Sequence, residues 1–155
     1  MTMILMFGPM LAGMLAAGAP AGFAHWSKAT LQDYQEKLAA KLDPKTKSAS
    51  ERLDTFDNHF FMIAHREGAG EAELHEGQAD VFVVESGAAT LVVGGEIVGA
   101  RTSSPGEVRG TSIQGGERVK LGVGDVVHIA ARTPHQLLIE PGGKFTYFVM
   151  KVDVK

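Results

Sequence analysis

The chain places three side chains that can bind a metal ion or move a proton close together, at Glu73, His75 and Asp80. Residues two apart on a β-strand point to the same side, so Glu73 and His75 share one face. If residues 76–79 form the turn of a hairpin, His75 and Asp80 lie opposite each other as a cross-strand pair. Two carboxylates and an imidazole on one β face are donors that suit a divalent metal ion. The spacing therefore predicts a metal site on one side of this hairpin.

This stretch resembles the first motif of the cupins, which runs Gly, five residues, His-x-His, three or four residues, Glu, six residues, Gly. His75 matches the second histidine of that motif, and Glu73 occupies the place of the first. Asp80 stands where Glu is usual, and six residues separate it from the closing Gly87.

A later stretch resembles the second cupin motif, which runs Gly, five residues, Pro-x-Gly, two residues, His. Gly124 and His135 match this motif, whereas Ala130 and Arg132 replace the usual Pro and Gly. Together with the strand pattern around them, the two motifs span roughly residues 57–153.

The cupin resemblance implies a mainly β protein, a double-stranded β-helix or jelly-roll barrel. In such a barrel the histidine of the second motif reaches the same interior as the residues of the first. The resemblance therefore adds His135 to Glu73, His75 and Asp80 as a candidate ligand of one divalent metal ion. Oxygen and nitrogen ligands without sulfur suit iron, manganese, nickel or zinc. Glu73 in the place of a histidine adds negative charge, which favours manganese or iron over copper.

The cupin resemblance leaves two classes of function open for this set of residues. In the first, the protein is a metal-dependent oxygenase or isomerase of a small polar metabolite, in which Glu73 as a free carboxylate moves protons. In the second, it is a non-catalytic binding or sensing module, with or without metal, in which His75 and His135 hydrogen-bond a small ligand or each other. Three ionisable side chains in one apolar interior are costly without a counter-ion, which favours metal binding. Cupins commonly pair through their sheets, so the resemblance also implies a homodimer.

The elements that position these residues are indicated by a change of period. The apolar stripe of Ser27–Leu42 predicts a short N-terminal α-helix outside the barrel, and the polar residues 45–54 predict a loop. From residue 57 onward, short strands alternate with turn residues and no helix intervenes, which is typical of a sandwich or barrel. We therefore predict an N-terminal helix and linker over residues 25–56 and the barrel domain over residues 57–155. Besides the hairpin, the predicted strands are 59–66, 89–93, 96–100, 118–121, 126–130, 135–140 and 145–152.

Two further segments leave alternatives open. His65 and Arg66 end the strand before the first motif. Either Arg66 reaches the barrel mouth and clamps a substrate carboxylate, or both are strand-end charges at the surface, which is the commoner situation. The segment Arg101–Glu117 is polar and rich in glycine, which is typical of a lid, a binding loop or an interface arm. Flexibility alone produces the same composition, so no site residue is assigned to that segment.

Residues 1–24 carry no charged side chain, and Gly22 and Ala24 are small residues at the −3 and −1 positions of a cleavage site. This layout predicts a secretory signal peptide, and hence a periplasmic or secreted protein that leaves the membrane after cleavage. The alternative is an uncleaved anchor, because the segment approaches the roughly 20 apolar residues that span a bilayer. Its proline and glycine content favours the cleaved signal.

The composition excludes several classes of function. A chain of 155 residues suggests one domain with a sizeable core. The net charge of −3, without a stripe of Lys and Arg, argues against nucleic acid as a partner and leaves a small molecule as the expected ligand. The chain contains no cysteine, which excludes thiolate ligands, thiol nucleophiles and disulfides.

Overall fold

The computed structural model describes residues 20–155, which fold into one α-helix and three antiparallel β-sheets. The elements are α1 (Lys28–Ala39), β1 (Ser48–Thr55), β2 (His59–Arg66), β3 (Ala72–His75), β4 (Gln78–Gly87), β5 (Ala89–Val93), β6 (Glu96–Val98), β7 (Arg101–Ser104), β8 (Glu107–Gly110), β9 (Ser112–Gln114), β10 (Glu117–Leu121), β11 (Val126–Ile129), β12 (His135–Leu138) and β13 (Phe145–Asp153).

Two of the sheets face each other and form the barrel. Sheet one has the order β1-β2-β13-β4-β11, and sheet two has the order β10-β5-β12-β3-β8-β7. The short strands β6 and β9 form a separate ribbon. Consecutive strands repeatedly change sheet, which is the topology of a jelly roll. The predicted mainly β barrel with one short N-terminal helix is therefore confirmed.

The core lies between the two sheets because alternate residues of their strands point inward. Phe82 and Val84 of β4 pack there with Leu91 of β5, Leu137 of β12 and Val149 of β13. All five are almost completely buried. At one end of the barrel the inward positions become polar, and these positions form the candidate site.

Helix α1 covers the outer face of sheet one. Ser27 caps its first turn by accepting a hydrogen bond from the Thr30 N–H (3.1 Å), and Leu38 is the buried residue of its apolar stripe. Just before the helix, the Trp26 ring packs on Phe61 and Phe148, which project from the outer face of β2 and β13. The helix is shorter than the predicted span 27–42, since it ends three residues before Leu42.

The polar loop predicted over residues 45–54 is wrong, because most of that segment is strand β1. This strand lies at the edge of sheet one and pairs only with β2. An edge strand needs no apolar alternation on its exposed face, so its sequence carries only a weak strand signal. The segment Arg101–Glu117 also proves to be largely strands, and β8 within it pairs with β3.

The predicted hairpin geometry around the first motif is also wrong. Strand β3 belongs to sheet two and β4 to sheet one, and the chain crosses between the sheets at Glu76 and Gly77. His75 and Asp80 are therefore not a cross-strand pair. Instead, they face each other across the barrel interior.

Among residues 20–155, no helix has the length and apolar character needed to cross a membrane. The predicted signal peptide lies mostly outside the residues that the structure describes, and its cleavage stays a prediction.

Candidate metal centre

Sheet two carries most of the polar cluster in two adjoining rows. Glu73 of β3 lies opposite His135 of β12 on one side and opposite Arg109 of β8 on the other. In the next row, His75 of β3 lies opposite Glu107 of β8. Since residues in register on neighbouring strands project to the same face, these five side chains meet on the inner side of the sheet.

The imidazole of His75 is held in one orientation by Glu107. Its Nδ1 lies 2.9 and 2.8 Å from the two carboxylate oxygens of Glu107. A carboxylate can only accept, so Nδ1 carries the proton and donates it. The Nε2 atom of His75 is therefore an acceptor, and its lone pair points towards the interior of the barrel. This arrangement, in which a carboxylate orients the ring, is the one that metal-binding histidines commonly have.

His135 is oriented in the same sense by the backbone. Its Nδ1 donates to the carbonyl oxygen of Thr133 at 3.0 Å, which again leaves Nε2 as the acceptor. The two rings lie 5.2 Å apart between centroids. Burial lowers the pKa of His135 to about 4, so its ring is neutral at physiological pH and needs to lose no proton to bind a cation.

Sheet one contributes an ion pair that faces the two histidines. Lys151 of β13 lies in register with Asp80 of β4, and its Nζ is 2.7 Å from both carboxylate oxygens of Asp80. The same ammonium donates to Nε2 of His75 at 2.7 Å. Burial raises the pKa of the Asp80 carboxyl, but His75 and the charge of Lys151 outweigh it, and the net pKa is lowered. Burial lowers the pKa of Lys151.

The donor set fits a divalent metal ion. One ligand atom each from Glu73, His75 and His135 lies within 4.8 Å of the others. Asp80 Oδ2 is 3.5 Å from Nε2 of His75 and 3.7 Å from Nε2 of His135. The other oxygen, Asp80 Oδ1, is buried, and its contact with Lys151 lacks hydrogen-bond geometry. Two imidazoles beside two carboxylates are ligands that iron, manganese, nickel and zinc accept.

The four residues predicted from the sequence all line one cavity of about 420 Å³. Three further residues of the cluster were missed, namely Glu107, Arg109 and Lys151. Arg109 forms ion pairs with Glu73 and, at 3.1 Å, with Glu107, so it fixes both carboxylates. Glu107 and Arg109 flank an apolar Val108, and this alternation within the polar segment was the available signal. Lys151 continues the inward face of β13 after two buried residues at the same spacing.

Arg66 also lines the cavity, so its interpretation as a surface charge at the strand end is wrong. Alternation along β2 turns Met62, Ala64 and Arg66 inward, whereas His65 points to the opposite face. There His65 is buried and bonds Thr146 Oγ1 at 2.7 Å.

No protein-family model matches the sequence, and no curated protein matches it either. Among solved structures, the chain is similar to TT1209 from Thermus thermophilus, with 18% identity and a TM-score of 0.53, covering 76% of this chain and 92% of that one. It is also similar to KdgF from Halomonas sp., with 15% identity and a TM-score of 0.51, covering 73% and 86%.

A third similar structure is that of salicylate 1,2-dioxygenase from Pseudoaminobacter salicylatoxidans in adducts with gentisate. Identity is 17% and the TM-score is 0.54 over 80% of this chain but only 31% of the dioxygenase chain. This chain has a cupin-type fold. The cluster lines the interior cavity of the barrel, and it could hold a metal ion.

Proposed function

We propose that this protein binds one divalent metal ion through His75, His135 and Glu73 and is an enzyme of the oxygenase or isomerase class. The observation that carries the proposal is the shared orientation of the two imidazoles. Each ring is held at Nδ1 by an acceptor, so each Nε2 is left as the acceptor atom, and Glu73 lies 4.0 Å from Nε2 of His75 and 3.5 Å from Nε2 of His135. A metal ion bound there supplies Lewis-acid polarisation of a substrate oxygen.

The two carboxylates, Glu73 and Asp80, have different roles in this proposal. Glu73 Oε1 lies 3.5 Å from Nε2 of His135, and Arg109 holds its other oxygen. Glu73 therefore either completes the ligand set or, when Asp80 does so, stays free to move a proton to or from the substrate. Asp80 adjusts the net charge around the metal ion, and Lys151 in turn neutralises the carboxylate of Asp80.

A non-catalytic binding or sensing module is the second candidate, and Lys151 is the observation that favours it. Its ammonium pairs with Asp80 and hydrogen-bonds His75, so part of the cluster is satisfied without a metal ion. In that case the barrel holds a small ligand through hydrogen bonds from the same side chains.

Metal analysis of the untagged protein separates these functions. We expect about one equivalent of a divalent metal ion in the wild type, and loss of most of it in His75→Gln, because the variant lacks one of the imidazole ligands. His128→Gln is the matched control, because His128 is exposed on β11. Oxygen uptake and isomerisation assays with small carboxylates and sugars follow on the loaded protein. Full metal retention in His75→Gln contradicts the proposed site, whereas bound metal without turnover favours the binding module.

Export and assembly belong to the same proposal. The uncharged segment 1–24 supports a cleaved signal and a periplasmic or secreted mature protein, which N-terminal sequencing of the secreted chain tests directly.

The exposed edge strands β1 and β7 support pairing of two copies, since edge strands offer unpaired backbone groups. Light scattering on the purified protein measures the oligomeric state.

A further inference from the structure

Arg66 stands apart from the other cationic groups of the cavity because it has no carboxylate partner within the described residues 20–155. The charged residues that line the cavity are Glu73, Asp80, Glu107, Arg66, Arg109 and Lys151. Arg109 pairs with Glu73 and Glu107, and Lys151 pairs with Asp80. Among residues 20–155, Arg66 forms no ion pair, and its one side-chain hydrogen bond runs from Nε to the Tyr147 hydroxyl at 3.0 Å.

The fold holds the guanidinium of Arg66 in place. A Cβ atom added to Gly70 would lie 3.0 Å from Nη1 and 3.4 Å from Cζ of Arg66, so the guanidinium rests on the bare backbone at that glycine. The Gly70 N–H in turn donates to the Leu137 carbonyl of β12 at 2.8 Å. His135 lies two residues from Leu137, which places it roughly 7 Å further along the same strand.

Tyr147 adds a second donor beside the guanidinium. Its oxygen accepts from Arg66, so its own hydrogen is free to donate into the cavity. Val149 is the next inward residue on β13, and Lys151 is the one after it. Along β13 the cavity lining therefore runs from Tyr147, beside Arg66, through the apolar Val149 to Lys151 of the polar cluster, and Phe82 and Leu137 add to its apolar part.

We propose that Arg66 and Tyr147 bind the carboxylate of a small substrate whose apolar body lies along Val149 and Leu137. One unpaired guanidinium matches the single charge of a carboxylate, and its fork geometry suits the two oxygens. The opposite end of such a molecule reaches His75 and His135. This inference rests on the proposed function, because it assigns a substrate class to the same cavity.

Charge balance supports an anionic ligand. The cavity lining carries three carboxylates and three cationic groups, so the charges cancel while the histidines are neutral. A bound divalent ion leaves the lining with an excess of positive charge, and an anionic substrate reduces that excess.

The test uses four probes on the full mature chain, with and without added zinc. Benzoate and cyclohexanecarboxylate carry the predicted charge and body, whereas benzamide and cyclohexanecarboxamide are their neutral counterparts. Calorimetry should show both carboxylates binding the wild type more tightly than their amides. Arg66→Gln should weaken carboxylate binding about ten- to a hundredfold, in line with the loss of charged hydrogen bonds, and leave amide binding unchanged. Arg118→Gln is the matched control, because Arg118 is exposed on β10.

Two further variants keep the test informative if Arg66→Gln folds poorly. Gly70→Ala retains the guanidinium but pushes it aside, and Tyr147→Phe removes only the hydroxyl donor; both should weaken benzoate binding severalfold. Equal carboxylate binding in wild type and Arg66→Gln, or no preference for carboxylates over amides, overturns the inference. Tighter binding of phenyl phosphate than of benzoate overturns the carboxylate assignment.

The failures of the two proposals are distinguishable. Metal analysis of the same samples reports on His75 and His135 independently of the probes. A metal-free wild type that loses benzoate binding in Arg66→Gln overturns the metal proposal and supports this inference. If the wild type binds metal and benzoate binds equally well to wild type and Arg66→Gln, the metal proposal is supported and this inference is overturned.

Discussion

Replacing Lys151 by methionine is expected to tighten divalent metal binding by at least tenfold. Nζ of Lys151 lies 2.7 Å from Nε2 of His75, the atom that a metal ion would share. The methionine side chain has nearly the same length, so it fills the same space without the positive charge. It also releases Asp80, whose carboxylate pairs with Lys151, for a bound cation.

The magnitude follows from Coulomb's law. An ion bound at Nε2 of His75 lies within roughly 5 Å of the ammonium, given ordinary metal–nitrogen bond lengths. A divalent charge and a unit charge at that separation repel by about 1.7 kcal/mol in bulk water and by about 7 kcal/mol at an effective dielectric constant of 20. The Lys151 side chain is 13% exposed, so solvent screens its charge only in part and the repulsion lies between these two values. The lower value, which corresponds to somewhat more than tenfold in affinity, is therefore the minimum expected.

Competition with a chromophoric chelator measures the dissociation constants for Mn(II) and Zn(II). Lys37→Met is the matched control, because Lys37 pairs with Glu51 at the surface of α1 and its loss removes the same unit of charge. The control should change metal affinity by less than twofold, since surface charges are screened. Without metal, the Lys151 variant should be less stable than the wild type, because Asp80 then lacks its partner.

Two results would refute this reasoning. If folded Lys151→Met binds metal no more tightly than the wild type, the ammonium does not face the bound ion. If Lys37→Met tightens binding to the same extent, the effect comes from net charge and not from the position of Lys151.

Three further predictions concern ligand orientation, pH and backbone geometry. Glu107→Gln should weaken metal binding about ten- to a hundredfold, because it loosens the carboxylate that orients His75; chelator competition measures this. Burial lowers the pKa of His135 to about 4, so between pH 6.5 and 4 this histidine binds a proton more readily in the unfolded chain than in the folded one. The metal-free protein should therefore lose about 3 kcal/mol of its free energy of unfolding as the pH falls from 6.5 to 4. His135→Asn should lack that share of the loss in urea unfolding at both pH values, and an unchanged pH slope contradicts the assignment. Gly87→Ala should lower the free energy of unfolding by more than about 2 kcal/mol, because φ at Gly87 is +78° and an added Cβ would clash with the backbone carbonyl of Lys144. Gly77→Ala is the control: an added Cβ at Gly77 meets open space, so this variant should leave the stability unchanged in the same assay.

Strand identity was largely readable from the sequence, whereas strand neighbours were not. The period-two patterns of 59–66 and 89–93 predicted β2 and β5 with the bounds that the structure has. Alternation also predicted that Glu73 and His75 share a face. It did not reveal that β3 and β4 lie in different sheets, because a short connection between two strands is compatible with a hairpin and with a crossing between sheets.

The polar strands were the elements that sequence reasoning missed. Strand β1 and the strand pair β7 and β8 lie at or near sheet edges, where one face is exposed and apolar alternation is weak. Glu107 therefore remained unassigned, although its carboxylate fixes the ring of His75. For Arg66 the sequence left the barrel mouth and the surface open and favoured the surface, because a charge at a strand end is usually exposed; only the three-dimensional fold shows that it lines the cavity.

The sequence by itself determined the β class of the protein and the shared face of Glu73 and His75, because side-chain alternation is a local property of an extended backbone. The cupin resemblance added His135 to the candidate residues. Tertiary structure decided which of these residues meet. Lys151 reaches His75 across 76 positions of the chain, and Glu107 reaches it across 32. Contacts of this kind depend on how two sheets pack, and no local pattern of residues records that packing.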